Sequence, residues 1–437
     1  MGKFEISSET IEIFDKCKLK YYHTDRFKTS VLKLSVALPS DNDLKNTALF
    51  SLMINLLKSG TERYPEKSDI IKRLNDLYDA NCTVGGYASG DNRIFEISAE
   101  MLSDRFSDGE SIFDGICELM YQMLFRPFLD GKGHFLKARV ERAKKTITDR
   151  IKSEKNNSRE YAFKKCREIM CEDEPYGQSV RSEIIKRITQ KQITDYYKAF
   201  VRSLKLEFSY VGDKSALDVA ASLKKYFCDA YIPSDCTLIP LSLRSAENVK
   251  RVDEELDVKQ SVLVFGMRTG VLLNSELACA MCVFNNVYGG TFSSRLFKNI
   301  REKKSMCYYV SSDYVTTKAL MFVSCAIDAR NRSVVEDSII AELEGLKLEA
   351  ISDEELDIAK KLAIKEIYDM TDYPNAIASF YFSRSMYGIE MTINEFVDKV
   401  HSVSKDDIMS IARGISLDTI FFLKGTGIDN DEEGLYE

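Results

Sequence analysis

The chain has 437 residues, 44% hydrophobic and 30% charged, with a net charge of -7 and a pI near 5.4. At roughly 100–200 residues per domain, that length suggests two to four domains, each large enough for its own core. The acidic balance argues against a nucleic-acid binder. The N-terminus lacks an apolar stretch of signal-peptide length and nowhere do 18 apolar residues run together, so a cytoplasmic chain without a membrane span is expected. The eleven cysteines are scattered and odd in number, which reads as free thiols in a reducing compartment. Cys279 and Cys282 form a lone CxxC inside an apolar helical run, with no second pair and no nearby histidine; they read as small core residues.

In chain order, residues 30–38 alternate, with Leu32, Leu34, Val36 and Leu38 on one face, and read as a strand. Residues 46–58 follow as an apolar helix with Leu49, Leu52, Met53 and Leu56 at helical spacing, ended by Gly60-Thr61. A helix at 68–78, a strand at 94–100 and a helix at 111–124 come next, the last ended by Pro127. Residues 135–168 read as a long charged helix broken once, and 174–177 (EPYG) as a turn. A helix at 189–200, a strand at 206–211 and a helix at 214–227 complete the first half.

Residues 229–248 hold two of the seven prolines and little helical period, and read as a linker. The second half then repeats the order of the first. A strand at 261–265 answers 30–38, an apolar helix at 275–288 answers 46–58, and a strand at 319–327 answers 94–100. Residues 352–367 resemble 136–151, both containing Ala-Lys-Lys, and the pair 403–414 and 419–424 answers 189–200 and 206–211. The expected domains are 1–228 and 249–437 around the linker. The expected fold class is α+β, with two related domains, each a mostly antiparallel sheet with helices on one face.

The stretch 289–314 (GGTFSSRLFKNIREKKSMCYYVSSDY) carries a Gly-Gly turn, a helical pattern and a strand pattern. Arg301 falls near the helix end and Tyr308 opens the strand, a spacing that could aim both side chains at one patch of surface. A guanidinium and a phenol suit a polar backbone or a developing oxyanion. The same residues also fit a helix-end arginine near the dipole and a half-buried tyrosine.

The stretch resembles the second-domain signature of the insulinase-like (pitrilysin, M16) metallopeptidases, a run of the form GG…SRLF…(I/L)RE(K)…Y. The resemblance covers nearly the whole chain. It implies the fold given above. It also implies that Arg301 and Tyr308, with six residues between them, reach a peptidase active site, Tyr308 bonding the oxyanion and Arg301 a substrate carbonyl, with Gly289 and Gly290 at the substrate. The family's first domain carries His-x-x-Glu-His on the helix after the first strand, and a later glutamate completes the zinc ligands. Counting back from Gly60-Thr61, the motif positions are Ser51, Leu52, Met53, Ile54 and Asn55, so both histidines and the base are absent. The later glutamate position matches Arg150, a cation that would oppose a dication. The three histidines, His23, His134 and His401, form no i, i+4 pair.

By this resemblance the chain is similar to the non-peptidase member of the paired insulinase-like proteins of Gram-positive bacteria. It is not expected to be a peptidase alone, and no cofactor is expected in it. The expected partner is a zinc-bearing paralogue, or a second copy of the chain, acting on an unstructured peptide. Nucleic acid and membrane are not expected partners. A catalytically inactive peptide-binding or scaffold protein is the alternative.

Overall fold

In the computed structural model, residues 4, 6–202 and 204–426 are described. The strands are β1 (Ser7–Phe14), β2 (Cys17–His23), β3 (Thr29–Pro39), β4 (Asn81–Ser89), β5 (Asn92–Leu102), β6 (Leu206–Gly212), β7 (Lys250–Leu256), β8 (Ser261–Arg268), β9 (Tyr309–Val315), β10 (Leu320–Ile327) and β11 (Ser416–Gly425). The helices of the first half are α1 (Leu44–Leu57), α2 (Lys67–Asp76), α3 (Ile112–Phe125), α4 (Lys137–Ser153), α5 (Ser158–Met170), α6 (Ser182–Arg187), α7 (Gln190–Val201) and α8 (Ala216–Phe227). Those of the second half are α9 (Ala280–Tyr288), α10 (Arg332–Leu348), α11 (Asp353–Met370), α12 (Pro374–Ser385), α13 (Ile393–Ser402) and α14 (Lys405–Gly414).

Two sheets result, ordered β1-β2-β6-β3-β5-β4 and β7-β11-β8-β10-β9. The second order copies the first once β1 is set aside. Each sheet is antiparallel except for one parallel pair, β2 with β6 and β7 with β11. β3 and β8, the strands matched by sequence, both lie between the late strand of their half and the second strand of a hairpin. The α+β class with two related, mostly antiparallel sheets therefore stands.

The chain divides into two compact units, and the division is not a single cut. One unit holds the described residues of Met1–Ile151, Gln178–Pro240 and Asp369–Glu390, and the other those of Lys152–Gly177, Leu241–Tyr368 and Met391–Glu437. The break at Pro240/Leu241 falls within 229–248, where there is no helix or strand. Two helical segments are exchanged: α5 belongs with the second-half sheet and α12 with the first-half sheet.

The exchange corrects the expectation of helices on one face only. In β8 and β10 every residue is buried, so both faces of the sheet are covered. One face packs on α5: Tyr161, Cys166 and Met170 meet Val262, Val264, Phe322 and Phe421. In the first unit, Leu32, Leu34 and Val36 of β3 face the core made with α1 and α3. On the opposite face Lys33 reads as solvent-facing, yet it is 3% exposed because α12 lies over it; its Nζ is 2.7 Å from Ser379 Oγ and 3.4 Å from Glu96.

The segment that carries α5 is held by buried charge. Glu174, just past α5, lies 2.8 Å from Arg268 at the end of β8 and 2.5 Å from Lys318 in the β9–β10 turn. Arg268 also pairs with Asp418 of β11 at 2.9 Å and donates to the Met170 carbonyl at 3.0 Å. Asp418 accepts from Thr419 Oγ1 as well. All four charged residues are between 1% and 6% exposed. Burial favours the neutral acid, but the hydrogen bond and charge of Lys318 and the charge of Arg268 outweigh it and hold Glu174 below the ordinary carboxylate range.

Glu174→Gln leaves Lys318 buried beside a neutral group and should cost about 3–5 kcal/mol, read as a lower urea midpoint at pH 7. The folded Glu174 has the depressed pKa, so its contribution is full above the unfolded value and lost as pH falls through the folded one. The gap between wild type and variant should therefore narrow on acidification.

Candidate functional site

Two groups of residues singled out by sequence lie in different units. The first is on α1. Leu49, Leu52, Met53 and Leu56 are buried in the core, as the spacing requires. Ser51 and Asn55 lie one turn apart on the partly exposed face, and Asn55 Nδ2 donates to the Ser51 carbonyl at 2.9 Å, so the amide is spent on its own helix. Ile54, which the count back from Gly60-Thr61 sets at the base position, is buried and packs on strand β4. A Cβ on Gly86 would come within 2.6 Å of its Cδ1. Arg150, on the exposed face of α4, adds its charge near Lys58; desolvation and then the charges of Arg150 and Lys67 hold that lysine below its ordinary range.

These donors do not fit a zinc ion: one hydroxyl, one self-bonded amide, an aliphatic chain and a cationic neighbourhood replace two imidazoles and two carboxylates. Among the described residues, no group of three or more His, Cys, Asp or Glu could hold a metal. His23 sits 3.0 Å from the Tyr21 hydroxyl and His134 Nδ1 lies 4.0 Å from Asp130. Cys279 and Cys282 are buried, and the Cys282 thiol contacts the Cys279 carbonyl at 2.9 Å. Burial pushes Cys282 up to about 12 and Cys307 to about 11, the charge of Arg301 opposing the second shift, so neither is poised as a thiolate.

The second group is a groove of about 860 Å³ in the second unit, lined by Gly289, Gly290, Arg301 and Tyr308 among others. Its floor is β9, the edge strand of its sheet. After α9 the chain turns at Gly289-Gly290. A Cβ on Gly289 would stand 2.7 Å from Ser312 Oγ, and one on Gly290 2.3 Å from Asn285 Nδ2. The pair is thus required by close packing. Ser312 N–H donates to the Gly289 carbonyl and Ser312 Oγ contacts Asn285 Oδ1 at 2.7 Å, fixing the turn to β9.

The next segment is not the α-helix expected. Phe297–Glu302 is a π-helical turn, closed by Lys303 N–H to the Lys298 carbonyl at 3.0 Å. Such turns recur at functional sites. Leu296 and Ile300 anchor it in the core, while Arg295 pairs with Glu355 of α11 through two contacts of 2.8 and 3.2 Å. The hydrogen bond from Arg295 pulls Glu355 down to about 2. The turn ends at Ser305, whose φ of 51° is left-handed, a conformation unfavourable for serine. Arg301 is exposed, and its guanidinium lies 4.7 Å from the Phe297 ring centre. Tyr308 is 58% exposed, with its backbone N–H tied to Ala326 at 2.9 Å.

Sequence reading missed the rest of the lining. Phe292 is 80% exposed and meets Phe297 edge to face at 5.1 Å. Ile358, Leu362 and Glu366 form an i, i+4, i+8 row on α11. Arg159 comes from α5. The α11 row was visible as a second apolar stripe; Arg159 had no local signal.

Residues 187–362 match the family model described as "Peptidase M16 inactive domain". The chain is similar to the M16 peptidases. The protein named "Probable inactive metalloprotease YmfF" from Bacillus subtilis is 26% identical over 409 residues, covering 92% of this chain and 94% of that one. A solved structure of a conserved protein from Enterococcus faecalis superposes with a TM-score of 0.86 at 21% identity, covering 97% of this chain and all of that one. A Peptidase M16 inactive domain from Pseudomonas fluorescens superposes with a TM-score of 0.79 at 16% identity, covering 98% of this chain. The M16 resemblance read from the sequence therefore holds. No helix among the described residues is long and apolar enough to cross a membrane.

Zinc equilibrated with the purified, untagged protein and then dialysed should be retained at well under one ion per chain by elemental analysis. A tightly held equivalent that also supports peptide cleavage would contradict the donor assignment on α1.

Proposed function

We propose that this chain is the non-metal-binding subunit of an insulinase-like peptidase, completing a peptide chamber with a zinc-bearing paralogue in the cytoplasm. The observation that carries the reading is that Arg301 and Tyr308 are both exposed and line one groove with an apolar wall, while the α1 donors are spent or buried. The domain scheme of 1–228 and 249–437 joined by 229–248 is part of this proposal as a description of the repeats. Arg301 offers a fixed fork of donors to a ground-state carbonyl of the bound peptide. Tyr308 offers one neutral donor to an oxygen that gains charge only near the transition state. Gly289 and Gly290 bring backbone to the peptide on a turn whose Cβ positions are already filled by Ser312 and Asn285. No nucleic acid or membrane takes part.

The second reading, a peptide-binding or scaffold protein that supports no cleavage, rests on the same groove. A homodimer with peptide affinity and no stimulated proteolysis would select it.

The test is co-expression with the zinc-bearing paralogue and steady-state assay on unstructured peptides. Tyr308→Phe should assemble normally and lower turnover by ~10²–10³ with little change in peptide affinity. Arg301→Ala should weaken peptide binding as well. Unchanged turnover in both variants at full assembly would leave the chain a scaffold or peptide-binding subunit.

A further inference from the structure

We infer that the groove selects an acidic peptide, and that Arg159 is the residue that sets this preference. The inference rests on the groove's role as the peptide site. Arg159 is the second residue of α5, where a cation opposes the helix dipole, so helix stability does not account for it. Its Nη2 donates to Ser311 Oγ at 2.8 Å, and its guanidinium lies 4.6 Å from the centre of the Tyr309 ring. Tyr309 is a neutral phenol at physiological pH, since burial raises it to about 12 against the pull of Arg159.

The Arg301 guanidinium also lies over a ring, that of Phe297. Among the described residues, no carboxylate pairs with either guanidinium, although the chain carries 68 acidic side chains. Glu366 is the one carboxylate in the lining. A guanidinium stacked on a ring, with donors left over, is a receptor for a carboxylate. With Arg301 given to the peptide carbonyl, Arg159 is the guanidinium left for a side-chain carboxylate, beside an apolar wall of Phe292, Ile358 and Leu362. The complementary occupant is an extended peptide with an Asp or Glu beside a large apolar side chain. The net charge of -7 argues that the selection is local to this groove and that polyanions in general are not bound.

The probes are two fluorescent ten-residue peptides with blocked ends, identical except that Glu-Leu in one is Gln-Leu in the other. Anisotropy with the intact chain should show the Glu peptide binding about tenfold tighter, the gain of one charge-assisted hydrogen bond. Arg159→Gln should bring the two affinities within about twofold, and Arg159→Lys should restore part of the difference. An unchanged melting temperature confirms that the exposed substitution keeps the fold. Equal binding of both peptides to wild type, or a preference that survives Arg159→Gln, overturns the inference. If the preference is absent but Tyr308→Phe still slows the assembled pair, this inference falls and the subunit reading stands. If the preference is present while turnover ignores Tyr308, the inference stands and the subunit reading falls.

Discussion

Glu174, between Arg268 and Lys318, is the contact on which the second unit depends. It takes a helix from the first half of the sequence and fastens it to a sheet built from the second half. A buried carboxylate between two cations is not a strong net source of stability; an apolar replacement could do as well. Its value is specificity, because a shifted α5 would part the buried Glu174 from Lys318 and leave Arg268 with Asp418 alone. The consequence reaches the groove. Arg159 and Glu174 bracket the same helix, so the seating of Glu174 fixes where Arg159 meets Tyr309 and Ser311.

The groove is assembled from three sequence-distant parts, and each is fixed by a different force. The Gly289-Gly290 turn is set by close packing on Ser312 and Asn285. The π-helical turn is set by burial of Leu296 and Ile300 and by the Arg295–Glu355 pair. α5 is set by the buried charges. What remains exposed among these rigid parts is a short set of side chains with spare donors or bare apolar surface: Arg159, Arg301, Tyr308 and Phe292. Fixed donors on rigid elements are what substrate positioning requires.

Much of this was legible in the sequence, for identifiable reasons. The alternation at 30–38 and the helical spacing at Leu49, Leu52, Met53 and Leu56 gave β3 and α1, because one face of each is simply apolar. The repeat was visible as an order of elements and holds as an order of strands. The exchanged helices were not read. Their trace was present in LMFVSCAI of β10, a continuous apolar run that needs cover on both faces. The hairpin of β1 and β2 was missed because its buried positions are interleaved with lysines and glutamates. In the groove, Arg301 and Tyr308 were singled out through the resemblance to the M16 signature, and both line it. The π-helical turn was not, since Ser305 is not a residue that signals left-handed backbone. Arg159 could not be found from its neighbours, because its contacts are made across 152 positions of sequence.

On the proposed reading, what this chain contributes is recognition. The α1 helix offers none of the donors that a zinc site needs, while the groove offers a guanidinium, a phenol and an apolar wall. Backbone hydrogen exchange of the intact chain with and without saturating unstructured peptide tests that division most directly. Peptide should slow exchange across residues 289–311 and at the start of α5, and leave residues 46–58 unchanged. Protection centred on α1, with none across 289–311, would contradict it.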